Sequence, residues 1–256
     1  MKSLNINISL YYDNFCILVH NNEHQLTASI DAPDTHTIVK MLKKQNWSLT
    51  HIFNTHYHID HTRANLDLKR IFNCKIFGPI KESDKIPGID HAFYNRDTFE
   101  FGSHPVQIIA TPGHTIGHIC YHFTKDHILF AGDTLFSLGC GKILEGSYVE
   151  MFESLSIINS YPDKTRIYFG HEYTKNNAKF ALSCDPNNIE LKEYYSRINI
   201  LRSQNLYTNP TTISLEKKVN PFLRTKNTSL RKNLDMENAS DLDIFTELRI
   251  RKDQFK

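Results

Sequence analysis

What this 256-residue chain lacks narrows it first. Its five cysteines, Cys16, Cys74, Cys120, Cys140 and Cys184, are scattered, odd in number, and form no C-x-x-C pair. That argues against a disulfide framework and for reduced thiols packed as small apolar side chains. No apolar run approaches the roughly 20 residues that span a bilayer. The first ten residues hold one lysine and alternate apolar with polar. They have neither the apolar core of a secretory signal nor the arginine bias of a transit peptide, so a cytoplasmic protein is expected. Formal net charge is only +2. No strong global field argues for nucleic acid or an anionic membrane as partner. Internal repeats and low-complexity segments are also absent.

What is present is an ordinary globular composition, 40% hydrophobic and 23% charged, in a chain long enough for one large domain or one domain with a smaller addition. Residues 7–31 read as strands, rich in β-branched and aromatic side chains. "DTHTIVKMLKKQN" follows as a helix that Asp34 can cap. "LTHIFNTH" is a short apolar strand, and after it Ala64, Leu68, Ile71 and Phe72 recur at helical spacing. "CKIFGP", "VQIIATPGH", "HICYHF", "HILFAGD" and "TRIYFGHEY" read as further strands, with "YVEMFESLSIINSY" a helix before the last. Beyond about residue 174 the character turns helical, with "NNAKFAL", "NIELKEYYSRINILRSQN" and a final "SDLDIFTELRIRKDQF". A polar stretch at residues 207–221 separates the last two. The expected organisation is a layered α/β domain over residues 1–174 and a helical domain over 175–256.

The chemistry concentrates in "NTHYHIDHTRAN", residues 54–65. His56 and His58 are two apart and point the same way from an extended backbone, so both imidazoles can reach one ion. Asp60 and His61 lie where the chain turns into a helix and can face a second point nearby. Further donors wait after apolar strands, beside or just after glycine: His114 in "TPGHT", Asp133 in "FAGDT" and His171 in "FGHEY". Seven imidazole and carboxylate donors exceed one tetrahedral site and suit two ions sharing a bridging carboxylate. Without cysteine among them, the set points to zinc, iron or manganese. Such an ion pair can activate water toward a carbonyl.

"THYHIDH", followed in order by "TPGHT", "GDTLF" and "GHEYT", resembles the T-H-x-H-x-D-H pattern of the metallo-β-lactamase superfamily. "GCGKILEG", "GHEYTKNN" and the terminal "RIRKDQFK" are similar to the glyoxalase II (hydroxyacylglutathione hydrolase) branch, so the resemblance covers nearly the whole chain. It implies a four-layer αβ/βα sandwich with a C-terminal helical domain. It implies that His56, His58 and His114 bind one metal, that Asp60, His61 and His171 bind a second, and that Asp133 bridges. The ions would be two divalent cations per chain, zinc first, with iron or manganese as alternatives. Asp60 and Asp133 would share in catalysis through a metal-bridging hydroxide. Lys142, Tyr173, Arg249 and Lys252 fall where that family holds glutathione. The implied reaction is hydrolysis of S-D-lactoylglutathione and related S-2-hydroxyacylglutathiones to glutathione and D-lactate, the second step of methylglyoxal detoxification. The expected partner is that small molecule alone, acting on a monomer.

Two departures stand out. "TRAN" follows the metal motif where glycines are common in the family, and Leu144 stands where some members carry tyrosine. Two rival readings stay open. A sulfur dioxygenase would use a single iron bound by two histidines and an aspartate, and would not need the glutathione-binding tail. A non-catalytic metal-binding module would be expected to have lost ligands. Arg249 and Lys252 lie three apart on one helical face, where an arginine fork can hold a carboxylate. A solvated cationic surface would give the same residues. His118, four after His114, is expected to pack, with support of the site as the alternative.

Overall fold

The computed structural model describes residues 3–255. The chain divides into two compact units. The first runs to Ala110 and resumes over Gly117–Gly132; the second holds Thr111–Ile116 and the chain from Asp133 onward. This division by compactness differs from the compositional change near residue 174, which falls inside the second unit. Among the described residues no helix is long and apolar enough to cross a membrane.

In the first unit, β1 (Asn5–Tyr11), β2 (Asn14–Asn21), β3 (Leu26–Ile30), α1 (Thr35–Gln45), β4 (His51–Phe53), α2 (Ile59–Thr62), α3 (Asn65–Phe72), β5 (Lys75–Pro79) and β6 (His91–Phe93) come in that order. The six strands lie side by side in sequence order. β1, β2 and β3 pair antiparallel, whereas β3, β4, β5 and β6 run parallel. Asp34 caps α1 by accepting from the Thr37 N–H. β7 (Thr98–Phe101), β8 (His104–Ala110), β9 (Ile119–Phe123) and β10 (Ile128–Gly132) form an antiparallel meander.

Alternation along β4 and β5 sorts their side chains to two faces. Ile52 and Ile76 join Ile38, Leu42 and Leu68 from α1 and α3 in one buried cluster. Phe53 points the other way, against Phe99, Phe101 and Tyr121 of the meander, with ring centroids 5.2–5.6 Å apart. Helices, one sheet and a second sheet are thus stacked in that order. Strands β6 and β7 were not apparent from the sequence; both are short.

In the second unit come β11 (Leu135–Phe136), β12 (Gly139–Cys140), α4 (Tyr148–Asn159), β13 (Arg166–Phe169), α5 (Thr174–Cys184), α6 (Ile189–Ser203), β14 (Thr211–Thr212), α7 (Ile213–Val219), α8 (Thr228–Asn233) and α9 (Asp241–Gln254). Ala178, Ala181, Leu191, Ile198 and Val219 form the core where α5, α6 and α7 meet. The stretch read as polar contains β14 and α7. Thr212 caps α7 through the Leu215 N–H, and Ile213 and Val219 are buried, but seven residues are too few to show a helical period in sequence. Glu216 on α7 is fully buried and accepts from Ser137, the Leu138 N–H, Thr211 and Asn220. It pins the turn of the β11–β12 hairpin, and burial pushes its carboxyl above the usual range.

Candidate metal centre

β4 ends at Phe53, at the centre of the parallel strands, and the chain then leaves the sheet. The "THYHIDH" segment therefore sits beyond the carboxyl ends of parallel strands, where open α/β sheets assemble their sites. The His56 Nε2 and His58 Nδ1 atoms are 3.0 Å apart. Four residues, Ile59–Thr62, then form a single helical turn that carries Asp60 and His61. Candidate ligand atoms of His56 and His61, and of Asp60 and His61, lie within 4.8 Å of each other. The first unit thus holds all four expected donors of the motif together. His118 is buried with its ring 5.1 Å from that of His56. A side chain at Gly132, where φ is +48°, would collide with Thr55 and His118.

Asp31 organises this cluster, and the sequence reading passed over it. It follows β3, whose Ile30 pairs with Phe53 of β4, so the parallel register sets it beside the start of the motif. The residue is 4% exposed. Its Oδ1 accepts from the Thr55 N–H at 2.7 Å, and its Oδ2 accepts from Thr55 Oγ1 at 2.9 Å and from His61 Nδ1 at 2.8 Å. With its own proton given to Asp31, Thr55 Oγ1 can only accept from His56 Nδ1, 3.0 Å away. His56 and His61 are both held with the proton on Nδ1, and each presents the lone pair of Nε2.

The second unit carries the other three donors. His114 Nδ1 donates to the Lys142 carbonyl at 2.7 Å, which again leaves Nε2 as the lone-pair donor. That Nε2 lies 3.5 Å from Asp133 Oδ2, and His171 Nε2 lies 3.2 Å from the same oxygen. The Tyr173 ring stacks on His171 at 4.8 Å, nearly parallel. Gly141 passes so close to the Asp133 backbone that a Cβ would sit 1.9 Å from its carbonyl oxygen. Neutral imidazoles fixed in one tautomer, facing carboxylates, are the donors a divalent ion requires. His/Asp clusters of this composition fit divalent metal ions.

Lys142, Tyr173, Arg249 and Lys252, the residues expected to hold glutathione, also lie in the second unit. Lys252 Nζ on α9 donates to Asn176 Oδ1 of α5 at 3.1 Å. Burial, and then the charge of Arg249, lower its pKa to about 8. Arg249 does not present the open fork expected of it: it is 4% exposed, donates from Nη1 to the Cys140 carbonyl and from Nη2 to Asp253, both at 2.9 Å, and lies over the Phe222 ring. Lys142 is exposed two residues beyond Cys140. The exposed Leu144 donates its N–H to the His114 carbonyl. A cavity of about 320 Å³ is lined by Glu172, Tyr173, Lys175, Asn176 and Lys179. In sequence, Lys175 and Lys179 carry only one signal, their one-turn spacing on α5.

The metallo-β-lactamase superfamily model matches residues 32–171, and the model for the hydroxyacylglutathione hydrolase C-terminus matches residues 172–255. A hydroxyacylglutathione hydrolase of Rhizobium johnstonii is 50% identical over the full length of both chains. The chain belongs to the hydroxyacylglutathione hydrolase family. A second member, from Brucella abortus, is 46% identical over 95% of each chain. Among solved structures, ETHE1 from Myxococcus xanthus superposes with a TM-score of 0.67 at 20% identity, over 97% of this chain and 90% of its own. TTHA1623 in a di-iron-bound form superposes at 0.63 and 20% identity, over 86% of this chain and 100% of its own. The fold is therefore the α/β sandwich of the metallo-β-lactamase superfamily with the helical C-terminal part of this family, as expected.

Proposed function

We propose that the chain hydrolyses S-D-lactoylglutathione, and related S-2-hydroxyacylglutathiones, to glutathione and D-lactate in the cytoplasm, as a monomer. The observation that carries this reading is full-length identity of 50% to a hydroxyacylglutathione hydrolase, in a chain that retains every donor of the metal motif. His56, His58 and His114 would hold one divalent ion, Asp60, His61 and His171 would hold a second, and Asp133 would serve both. Zinc is the first choice, with iron or manganese as alternatives for the same ligands. Residues 1–174 form the catalytic part and 175–256 the part that recognises glutathione. When bound, the ions supply Lewis acidity and a water of lowered pKa.

The chain's own groups do the rest. The Nδ1 atoms of His61 and His114 are engaged by Asp31 and by the Lys142 carbonyl, which turns Nε2 of each ring toward the site. Asp60 and Asp133 supply the negative charge that offsets the cations. The leaving thiolate needs no protein acid, because a thiol of pKa about 8.5 is readily expelled as its anion. Glutathione carries two carboxylates. Tyr173, Lys175 and Lys179 line one cavity with Asn176, which Lys252 reaches; these groups, together with Lys142, would hold it. Arg249 contributes by anchoring the segment that bears Lys142. Remote binding of this kind orients the thioester carbonyl.

The test is one preparation assayed for loss of the S-D-lactoylglutathione thioester, with elemental analysis alongside. Two metal equivalents and turnover lost in His58→Ala are expected. Near-wild-type hydrolysis by that variant with unchanged metal content would sink the reading. Iron with oxygen consumption on glutathione persulfide, and no thioester hydrolysis, would replace it with a dioxygenase.

A further inference from the structure

The loop that carries His56 and His58 has no sheet ladder to hold it, since β4 stops at Phe53. Its backbone groups are satisfied one at a time. The Asn54 N–H donates to the Phe77 carbonyl, and the Thr55 carbonyl accepts from the Ile119 N–H. The Thr55 N–H goes to Asp31, from the end of β3 on one side. The Tyr57 N–H goes to Glu82, which follows β5 on the other side, in the 3-10 turn Ile80–Glu82. Both strands that flank β4 thus end in a carboxylate that grips the loop between them.

Glu82 is 2% exposed. Its Oε2 accepts from the Tyr57 N–H at 2.9 Å, and its Oε1 from the Gly117 N–H at 2.8 Å. Gly117 is not among the residues of positive φ, so its backbone conformation does not require glycine. Space does: a Cβ there would sit 2.5 Å from Glu82 Cγ and 2.8 Å from Oε1. The missing side chain at 117 and the carboxylate at 82 are matched to one another. Tyr57 is the residue between the two histidines. The Tyr57 N–H belongs to the link between the two histidine residues, so the bond it gives Glu82 fixes how the chain passes from His56 to His58.

We propose that Glu82 is a positioning residue for the His56–His58 pair, fixing the peptide between them and so setting how tightly they hold a divalent ion. This rests on the reading that His56 and His58 are metal ligands. Replacing Glu82 by glutamine places an amide NH₂ against one of two backbone N–H groups, and Gly117→Ala drives the carboxylate away without altering it.

The experiment measures the Kd for zinc by chelator competition on the metal-free full-length chain, with thermal unfolding of the same metal-free samples. The variants are Glu82→Gln, Gly117→Ala, their double, and His58→Ala. Glu82→Gln and Gly117→Ala should each weaken zinc binding by roughly tenfold to a hundredfold, the range for groups that orient ligands. The double variant should be no weaker than the worse single one, because both act through one contact. His58→Ala should lose one zinc equivalent. A lowered unfolding midpoint with unchanged zinc Kd in Glu82→Gln or Gly117→Ala would show a purely structural acid and overturn the proposal. If only one of the two variants folds, its Kd decides. Full zinc stoichiometry in His58→Ala would instead overturn the ligand reading beneath it.

Discussion

Lys252 offers a test of carrier recognition that turns on pH. Its ammonium is partly buried beside the Arg249 cation, and its pKa is lowered from 10.5 to about 8. By simple titration it is about 90% protonated at pH 7 and about 10% at pH 9, where a free lysine of pKa ≈ 10.4 would still be charged. If this charge holds a glutathione carboxylate, kcat/KM for S-D-lactoylglutathione falls by up to about tenfold between pH 7 and 9, while kcat changes less, because kcat/KM reports the free enzyme. Lys252→Arg separates this from titration of the substrate: guanidinium stays charged, so the fall should vanish or move beyond pH 9. The matching stability effect has a fixed sign. The depressed pKa means the folded state holds this proton less tightly than the unfolded one. The cost of burying the charge is fully present below pH 8 and is relieved as pH rises toward 10.5. Initial rates from pH 6.5 to 9.5 on both proteins decide the matter. A wild-type kcat/KM flat to pH 9.5, or an identical fall in Lys252→Arg, would refute the reasoning.

Three further outcomes are expected. Asp31→Ala strands the buried Thr55 N–H and the proton of His61, and should cost about 2–4 kcal/mol in urea unfolding of the metal-free chain; a loss near zero would remove Asp31 from its organising role. Arg249→Ala breaks bonds of a side chain that is 4% exposed, so it should lower stability by about 2–3 kcal/mol as well as raise KM for the glutathione thioester; unchanged unfolding would contradict the anchoring role. Ser240 and Asp243 form a reciprocal cap at the start of α9, so Ser240→Ala should lower the free energy of unfolding by about 1 kcal/mol, read from the denaturation curve.

The proposed donors stood out because their pattern is local: His56, His58, Asp60 and His61 occupy six positions, and His114, Asp133 and His171 each follow an apolar strand. Helices α1, α4 and α9 were legible in sequence, α1 with its cap Asp34; the caps Ser147 and Ser240 emerge only from the structure. Asp31 and Glu82 were not legible. Each sits in an unremarkable run, and its role exists only because β3 and β5 flank β4 in parallel, a pairing that no local pattern encodes. The burial of Arg249 was hidden for a related reason. A cation on a helix is expected outside, and what draws it in is the Cys140 carbonyl more than a hundred residues earlier.

The parallel arrangement of β3, β4 and β5 also sets an order of events. Parallel neighbours need crossover connections, so their pairing closes longer loops than a hairpin does and is intrinsically slow. His56 and His58 are adjacent in sequence from the moment they are synthesised, yet the frame that aims them needs residues 31 and 82 in place. A nascent chain can scavenge an ion through a histidine-rich stretch, but it holds that ion without orientation. On the proposed ligand reading, an ion held in a defined orientation is therefore a property of the finished sheet and not of the histidine-rich stretch alone.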